Sequence, residues 1–320
     1  MLKLQNKNAI ITGGSQGLGK EIARLFLHEG ASVAICARSE DKLLAAYNEL
    51  RQYTREGRLL IYERADVSNP NEAKRFVEAC ISRFQRIDVL VNNAGVLGAI
   101  NTIDDAEFDL GNWINAISVN LFGALYMCQA TVPYFKENGH GKIINLSGGG
   151  ATSPMPGMSA YASSKAALVR FSETIAIELK RYNINVNAVA PGTLNTRMLD
   201  HVLINGGGKV TDEYYQRMLK QKESGGTPLN MAAELCVYLA SDESGWITGK
   251  LISAVWDDWK NLHKFISGSA PDIYTLRRIV PEDRGIAVLP HGITGRGLAP
   301  PTKPLQRSPS NEAPPMKPRR

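Results

Sequence analysis

Short apolar runs alternate with amphipathic stretches along most of this chain. Runs of strand length are predicted at residues 8–12, 32–36, 59–63, 88–91, 142–146, 185–189 and 250–253. Amphipathic helices are predicted at residues 17–28, 40–55, 71–84, 113–136, 159–181 and 229–240. The helix over 159–181 shows the pattern most clearly. Its predicted buried stripe consists of Leu168, Phe171, Ile175 and Leu179.

Strands that are apolar along their whole length, each followed by a helix, indicate a parallel sheet covered by helices. The connections between such strands are expected to be right-handed crossovers. The sequence therefore predicts an α/β fold, namely a single doubly wound domain of the Rossmann type. Its parallel seven-stranded sheet is expected to carry helices on both faces.

The chain divides into a folded body and a basic end. Residues 1–254 carry the strand and helix pattern, and a glycine-broken helical stretch at about 193–228 is predicted to be a substrate lid. Residues 255–290 are expected to form an ordered extension. Residues 291–320 are predicted to be a disordered, basic, proline-rich tail, because few large apolar side chains remain there to offset the entropy of ordering.

The net charge of +6 is concentrated at this basic end. Residues 281–320 hold seven Lys and Arg against three Asp and Glu, which is +4, so the first 280 residues carry about +2. A tail of this composition is expected to be solvated. A nucleic-acid partner is therefore the least favoured interpretation of the charge.

Composition narrows the class of protein further. No run of about 18 apolar residues occurs, so no membrane span is predicted. Residues 1–14 lack the pattern of a secretory signal. The four cysteines lie in apolar segments without a CxxC pair, which indicates buried thiols and a reducing, cytoplasmic location. The five histidines lack carboxylates at ligand spacing, so no metal site is predicted.

A glycine-rich turn joins the first predicted strand to the first predicted helix. It reads TGGSQGLG, residues 12–19. Glycines allow a tight turn and a close approach of the backbone to a pyrophosphate. The helix that begins at Gly17 directs free N–H groups and the positive end of its dipole at the anion. At this place in a βαβ unit, the turn predicts a dinucleotide site.

The residues after the next strands indicate which dinucleotide binds. A carboxylate at the end of the second strand would bond the ribose 2′-OH of NAD and repel a 2′-phosphate. This chain has Arg38 there, whose guanidinium suits a phosphate, with Ser15 as a further donor. NADP(H) is therefore favoured over NAD(H), and a solvated loop role for Arg38 is the alternative. Asp66 and Val67 are candidates for the adenine edge, and residues 92–95 (NNAG) for a close backbone approach.

A tyrosine and a lysine four positions apart offer acid–base chemistry. Tyr161 and Lys165 lie one helical turn apart and project from the same face of their predicted helix. Hydride transfer to a carbonyl carbon needs a proton at the oxygen, and a free tyrosine, with a pKa of about 10, is a poor base at neutral pH. The Lys165 ammonium is expected to lower the pKa of Tyr161 and to hold the nicotinamide ribose.

Together the motifs TGGSQGLG, DV, NNAG, SVNLFG, YASSK and PGTLNT resemble the compact branch of the short-chain dehydrogenase/reductase family, and in particular its 3-oxoacyl-ACP reductase-like members. The resemblance covers about residues 7–253. It implies catalysis by Tyr161 and Lys165, with Asn120 holding a water in the proton path to the lysine. The cofactor-binding positions that it implies, besides Tyr161 and Lys165, are Gly13, Ser15, Gln16, Gly17, Leu18, Gly19, Arg38, Asp66, Val67, Asn93, Ala94, Gly95, Pro191, Gly192 and Thr196.

Residue 148 departs from the family pattern. The family's fourth catalytic residue is a serine thirteen positions before the tyrosine, and here that position is Gly148. Three alternatives stay open: a bulge that turns Ser147 inward, backbone N–H donors at residues 148–150, or a hydroxyl from Thr152, Ser153 or the substrate. Ser147 and the backbone donors are favoured. Loss of one such donor costs about 100- to 1000-fold in rate, so activity would be reduced or altered but not excluded.

The end of the domain departs from the family as well. In place of the usual short acidic-glycine ending, the chain continues with Trp256 and Trp259. Their indoles could line a pocket or cover a subunit interface, and the interface is favoured because aromatic side chains serve more often in packing.

The leading interpretation is an NADP(H)-dependent oxidoreductase that acts on a carbonyl or on the matching secondary alcohol. The expected substrate is a 3-oxoacyl thioester, a sugar-like compound or another small carbonyl, and the expected assembly is a homodimer or homotetramer. The alternative is an NADP-binding sensor or scaffold protein with weak or lost catalysis. Gly148 favours this alternative, whereas the retained Tyr161 and Lys165 oppose it.

Overall fold

The computed structural model describes residues 2–266 and 272–285 of the 320-residue chain. The chain forms two units, Met1–Arg277 and Arg278–Arg320. The first contains the sheet and all the helices that surround it. In the second, a short 3₁₀-helix covers Pro281–Arg284. The predicted tail at residues 291–320 lies outside the described residues.

Seven parallel strands form one sheet in the order β3-β2-β1-β4-β5-β6-β7. From β1 the chain adds strands toward one edge of the sheet, and from β4 it adds them toward the other edge. This change makes the sheet doubly wound, so the predicted fold class is confirmed. The strands are β1 (Asn8–Thr12), β2 (Ser32–Ala37), β3 (Leu60–Arg64), β4 (Val89–Asn92), β5 (Gly141–Leu146), β6 (Ile184–Ala190) and β7 (Leu251–Ser253).

Nine α-helices occur in the part of the chain that the structure describes. They are α1 (Gly17–His28), α2 (Glu40–Leu50), α3 (Pro70–Phe84), α4 (Leu110–Ile117), α5 (Gly123–Asn138), α6 (Ser159–Leu179), α7 (Arg197–Asn205), α8 (Asp212–Ser224) and α9 (Leu229–Ala240). The first two and α9 cover one face of the sheet. The other face is covered by α3, α5 and α6. Both faces of the sheet are therefore buried, as the uninterrupted apolar strands require.

The helix predicted over residues 113–136 is interrupted. A π-helical segment, Ser118–Phe122, separates α4 from α5. Hydrophobic periodicity alone does not reveal a change of this kind, because the apolar residues continue through it. Segments of π-helix occur frequently at functional sites. This one carries Asn120, which is buried.

The chain beyond β7 packs against the domain. Trp259–Lys264 forms a 3₁₀-helix whose Leu262 is fully buried in the core between the sheet and α9. Farther along, the Leu251 N–H of β7 donates to the carbonyl of Tyr274 at 2.8 Å. This bond pairs the outer edge of the sheet with the extension. None of the helices described is long and apolar enough to cross a membrane.

Candidate active site

A cleft of about 1830 Å³ opens along the carboxyl ends of the strands, where ligands bind in open α/β sheets. The structure brings almost all of the predicted site residues to this cleft. Those that line it are Gly13, Ser15, Gln16, Gly17, Leu18, Gly19, Arg38, Asp66, Val67, Asn93, Ala94, Gly95, Ser147, Tyr161, Lys165, Pro191, Gly192 and Thr196. The exception is Asn120, which lies behind the wall of the cleft.

The glycine turn is fitted closely to the loop after β4. Gly13 has a φ of +67°, and a Cβ there would stand 2.9 Å from the Ala94 Cα, so only glycine is compatible with both the conformation and the space. The Thr12 hydroxyl accepts the N–H groups of Asn93 and Ala94, both at 3.0 Å. These bonds fix the turn and the loop relative to each other.

The start of α1 fits a phosphate group. Gln16 precedes the helix and makes no side-chain cap, so the N–H groups of the first turn keep their capacity for a ligand. The positive end of the helix dipole lies at the same place. Together with the small residues of the turn, these groups match a pyrophosphate better than any apolar ligand.

The far end of the cleft carries positive charge. Arg38 is exposed there, after β2, and the residues after that strand that line the cleft, Arg38, Ser39 and Lys42, include no carboxylate. Lys42, in the first turn of α2, lines the same end and was not predicted from the sequence. Asp66 lies opposite, with its Oδ1 accepting the Ser68 hydroxyl at 2.6 Å.

Tyr161 and Lys165 meet at the centre of the cleft. The Lys165 Nζ lies 5.7 Å from the centroid of the Tyr161 ring and donates to the Leu146 carbonyl at 2.7 Å. Only 4 % of Lys165 is exposed, and burial lowers the pKa of its amine to about 8. The bond to β5 fixes the amine beneath the tyrosine.

The pKa of Tyr161 differs in direction from the sequence-based expectation. Burial raises it to about 12, and Tyr214 contributes further in the same direction. Lys165 does not lower it here, because the desolvation of the phenol outweighs the effect of an amine that is itself desolvated. With this raised pKa the phenol stays protonated at neutral pH, so the expectation of a lowered pKa is wrong.

Gly148 faces the hydroxyl of the tyrosine. Its backbone is extended, with φ −179° and ψ 173°, and a Cβ built there would stand 2.5 Å from the Tyr161 Oη. In an extended segment the neighbouring side chain leaves on the opposite side. Ser147 is buried, and its hydroxyl has no hydrogen-bond partner among the described residues.

The glycine run leaves backbone donors unused. The N–H groups of residues 148–150 donate to no acceptor in the described part of the chain. By contrast, the next two residues, Ala151 and Thr152, donate to the carbonyls of Gly148 and Gly149. Unpaired N–H groups beside a catalytic phenol are the groups that hold a developing oxyanion in other enzymes.

Asn120 holds two parts of the site together. Its Nδ2 donates to the Val96 carbonyl at 2.9 Å and to the Ser164 hydroxyl at 2.8 Å, and its Oδ1 accepts the Val96 N–H at 2.8 Å. Ser164 in turn donates to the Tyr161 carbonyl at 2.7 Å. The side chain of Asn120 is thus engaged by protein groups, and it positions the turn of α6 that carries the tyrosine.

Several residues of the cleft were not predicted. Tyr214, on α8, packs with Tyr161 against one apolar cluster that includes Leu199 and Met158. Trp256 lines the mouth of the cleft with 85 % of its surface exposed, whereas Trp259 packs on Tyr238. The only sequence signal for Tyr214 was its place in the predicted lid, because no motif marks such residues.

The described residues contain no cluster of three His, Cys, Asp or Glu side chains that could hold a metal ion. His140 has a structural partner instead. Its Nε2 lies 2.8 Å from the buried Asp88, at the opposite end of the sheet from the cleft. The four cysteines are buried and unpaired.

Comparison with known proteins assigns the family. The family model described as short chain dehydrogenase matches residues 7–205. A (2S)-[(R)-hydroxy(phenyl)methyl]succinyl-CoA dehydrogenase subunit, BbsD, from Thauera aromatica is 35% identical over 78% of this chain and 95% of its own length. The 3-oxoacyl-[acyl-carrier-protein] reductase FabG from Thermotoga maritima is 34% identical over 78% of this chain and 97% of its own.

A solved structure agrees with these relatives. A 7α-hydroxysteroid dehydrogenase complexed with NADH and 7-oxo glycochenodeoxycholic acid is 30% identical, with a TM-score of 0.69 over 79% of this chain and 94% of that one. The chain therefore belongs to the short-chain dehydrogenase/reductase family, and the sequence-based assignment is confirmed. It is an oxidoreductase of a family that binds a nicotinamide cofactor.

Proposed function

We propose that this protein catalyses NADP(H)-dependent hydride transfer between a small carbonyl compound and the matching secondary alcohol. The observation that carries the proposal is the single cleft that joins the glycine turn to Tyr161 and Lys165. When bound, the nicotinamide supplies or accepts the hydride. The protein's own residues then bind the cofactor, exclude water and handle the proton at the substrate oxygen.

Tyr161 is the proposed proton donor, and Lys165 is its neighbour in the proton path. A phenol with a raised pKa remains protonated at neutral pH and can donate to a carbonyl oxygen that becomes an alkoxide. In the reverse direction, the positive charge of the oxidised cofactor would favour the tyrosinate. Asn120 is proposed as a positioning residue, because its bonds to Ser164 and Val96 fix the elements around the tyrosine.

The second donor to the substrate oxygen comes from the glycine run in this proposal. The extended backbone at Gly148 favours the N–H groups of residues 148–150 over the Ser147 side chain. Among side chains, Ser147 remains the candidate for this second donor, since its buried hydroxyl has no hydrogen-bond partner in the part of the chain that the structure describes. An N–H group in a water-excluded site can replace a hydroxyl in this role.

NADP(H) is the proposed cofactor, and the 2′-phosphate is assigned to Arg38, Ser15 and Lys42. The guanidinium of Arg38 is exposed at the end of β2, where no carboxylate would repel a phosphate. The test is a comparison of NADPH with NADH in wild type and Arg38→Ala. The variant should raise the KM for NADPH about 10- to 100-fold and leave that for NADH unchanged. An equal effect on both cofactors would contradict this assignment.

The proposed substrates are a 3-oxoacyl thioester, a sugar-like compound or another small carbonyl. The names of two relatives refer to a CoA thioester and to an acyl carrier protein thioester, which supports thioesters as the first candidates in this proposal. Residues 193–228 are the proposed lid. An isolated bridge pairs Leu194 with Thr227, so the segment that carries α7 and α8 leaves and rejoins the body at one place.

A homodimer or homotetramer is the proposed assembly. Apolar side chains with more than two fifths of their surface exposed lie along α4 and the following π-helical segment, which a second copy of the chain would cover. They are Leu110, Ile114 and Phe122.

A nucleotide-binding sensor with lapsed catalysis is the second candidate, favoured by Gly148. A panel of carbonyls with NADPH separates the two. We expect turnover by wild type and a loss of about 100- to 10,000-fold in kcat for Tyr161→Phe. Tight NADPH binding without turnover of any carbonyl would support the sensor. Turnover that persists in Tyr161→Phe would reject the proposed mechanism.

A further inference from the structure

The substrate side of the cleft is lined by α8 of the lid segment. Tyr214 lies close enough to Tyr161 to affect the pKa of its phenol, and both pack against the same apolar cluster. One turn farther along α8, the guanidinium of Arg217 lies 5.0 Å from the centroid of the Tyr214 ring. Tyr161, Tyr214 and Arg217 therefore lie in series along the wall of the cleft, with the phenol at one end and a guanidinium at the other.

The cations on this wall have no acidic partners. Arg217 and Lys220 both line the cleft, and neither forms an ion pair in the part of the chain that the structure describes. Glu213 is the one carboxylate that shares this wall on α8. Lys222, on the same helix but outside the cleft lining, behaves differently, since it pairs with Asp200 at 2.6 Å.

Another cation that lines the cleft, Arg197, lies in the part of the cleft that is proposed to bind the cofactor. Arg197 follows Thr196, whose Cγ2 lies 3.6 Å from the Cβ position of Gly17 in the phosphate turn. Because its neighbour Thr196 lies beside that turn, we assign Arg197 to the cofactor's pyrophosphate. Arg38 and Lys42 lie at the far, adenosine end. The cofactor's phosphates are thus assigned to Arg38, Lys42 and Arg197. Arg217 and Lys220 on α8 have no phosphate of the cofactor assigned to them.

We propose that Arg217, assisted by Lys220, binds a negatively charged group of the substrate, a carboxylate or a phosphate, while the substrate carbonyl meets Tyr161. The inference rests on the proposed function and adds that the physiological substrate is an anionic carbonyl compound. A guanidinium presents a planar fork of donors that suits either anion, and the Tyr214 ring offers it a stacking surface on the side of the cleft that faces Tyr161.

The experiment compares matched carbonyls with and without the anion, using NADPH and the full-length protein. The carboxylate arm pairs acetoacetate with ethyl acetoacetate. The phosphate arm pairs acetoacetyl-CoA with acetoacetyl-N-acetylcysteamine. In at least one arm, wild type should show a KM about 10- to 100-fold lower for the anionic member.

Arg217→Gln should remove that advantage by raising the KM of the anionic member alone, with kcat for the neutral member unchanged. Arg217→Lys should restore part of the preference for the anionic member. Lys222→Gln is the matched control and should leave the KM of all four compounds at the wild-type level. Equal KM changes for both members, or no preference by wild type in either arm, would overturn the inference.

Failure of the proposed function gives a different result. If wild type reduces none of the four compounds but reduces another carbonyl of the panel, acetoacetate and CoA are tested as competitive inhibitors. Arg217→Gln should then raise the Ki of one of them about 10-fold or more, and an unchanged Ki for both would reject the inference. A wild-type protein that reduces no carbonyl at all would reject the proposed function, and the inference with it.

Discussion

At the scale of single residues, the site is shaped by the side chain that position 148 lacks. A Cβ at Gly148 would stand 2.5 Å from the Tyr161 hydroxyl, which is closer than two such atoms tolerate. A serine there would displace the phenol from its present place. The glycine therefore both removes a hydroxyl and leaves the space that the tyrosine hydroxyl occupies, and in the proposed mechanism the backbone N–H groups beside it serve the substrate oxygen.

Gly149 allows a test of the backbone donors. A Cβ on Gly149 meets nothing within 4 Å, so the space accommodates alanine. Gly149 also begins a 3₁₀ turn after an extended residue, which is the kind of position that proline adopts. Gly149→Pro removes the N–H and should lower kcat about 100- to 1000-fold, whereas Gly149→Ala keeps it and should stay within a few-fold of wild type.

An amide-to-ester replacement at residue 149 removes the same N–H without a ring and serves if the proline variant folds poorly. NADPH affinity should not change in any of these proteins. Equal rates for the alanine and proline variants, combined with a loss of rate in Ser147→Ala, would assign the role to the Ser147 hydroxyl instead.

Burial of Lys165 should appear in the pH dependence of stability. Its pKa is about 8 in the folded protein and 10.5 without burial, so between these values the unfolded chain binds the proton and the folded chain does not. The free energy of unfolding should therefore rise with pH across this window. As the pH rises through this window, the free energy of unfolding of wild type should increase relative to that of Lys165→Met by up to about 3 kcal/mol.

Urea unfolding of both proteins at pH 7.5 and at pH 10 measures this shift, since other titrating groups cancel in the comparison. A difference that stays constant with pH would show that the amine is not desolvated in the folded state.

The sequence predicted which residues lie together at the cleft where those residues follow the end of a strand. The residues of the turn and of the loops after β2, β3 and β4 line one cleft because the carboxyl ends of parallel strands lie at one edge of the sheet. The direction of the Tyr161 pKa shift could not be predicted, since it depends on the burial of the phenol in the folded protein and, to a smaller degree, on the nearby Tyr214 of α8. Spacing along α6 says nothing about a helix some fifty residues later.

At the scale of elements, the extension after β7 protects an edge of the sheet. An unpaired edge strand is a template for association with other chains. Here the Tyr274 carbonyl accepts the Leu251 N–H, and the Leu276 N–H donates to the buried Glu173 of α6 at 2.6 Å. Arg170, one turn earlier, donates to the Leu276 carbonyl. The extension thus joins β7 to α6.

Truncation after Ile266 should destabilise the domain, because it removes these bonds and leaves the Glu173 carboxylate with one fewer donor. We expect a melting temperature about 5 °C lower than that of a chain truncated after Gly285, which keeps all of them. Thermal unfolding by circular dichroism measures the difference. Identical melting of the two truncated proteins would contradict a stabilising role for residues 272–277.

Elements differ in how far the sequence predicts them. The strands and most helices follow from apolar runs and periodicity, because burial on both faces of the sheet imposes that pattern. The π-helical segment did not follow, since it shifts hydrogen bonds without altering composition. The path of residues 272–277 was also not predictable, because the hydrogen bonds that hold it use its own backbone N–H and C=O groups, which no side-chain pattern marks.

At the scale of the whole molecule, the fold leaves an apolar surface exposed, and this surface is where the second copy of the chain in the proposed assembly would bind. Leu110 and Ile114, one turn apart on α4, are 59% and 51% exposed, and Phe122 follows at 42%. Phe122 lies beside Tyr126, with 6.3 Å between the ring centroids. Contiguous apolar side chains on helices rarely remain in contact with water in a folded protein.

Ile114→Glu should therefore weaken the assembly, since a carboxylate buried in an apolar interface has no partner and carries a desolvation penalty. Light scattering coupled to size exclusion should show wild type as a dimer or larger and the variant shifted toward the monomer. Ile204→Glu, on α7 and 78% exposed, is the matched control and should leave the mass unchanged. A shift in mass with Ile204→Glu alone would place the interface on the lid.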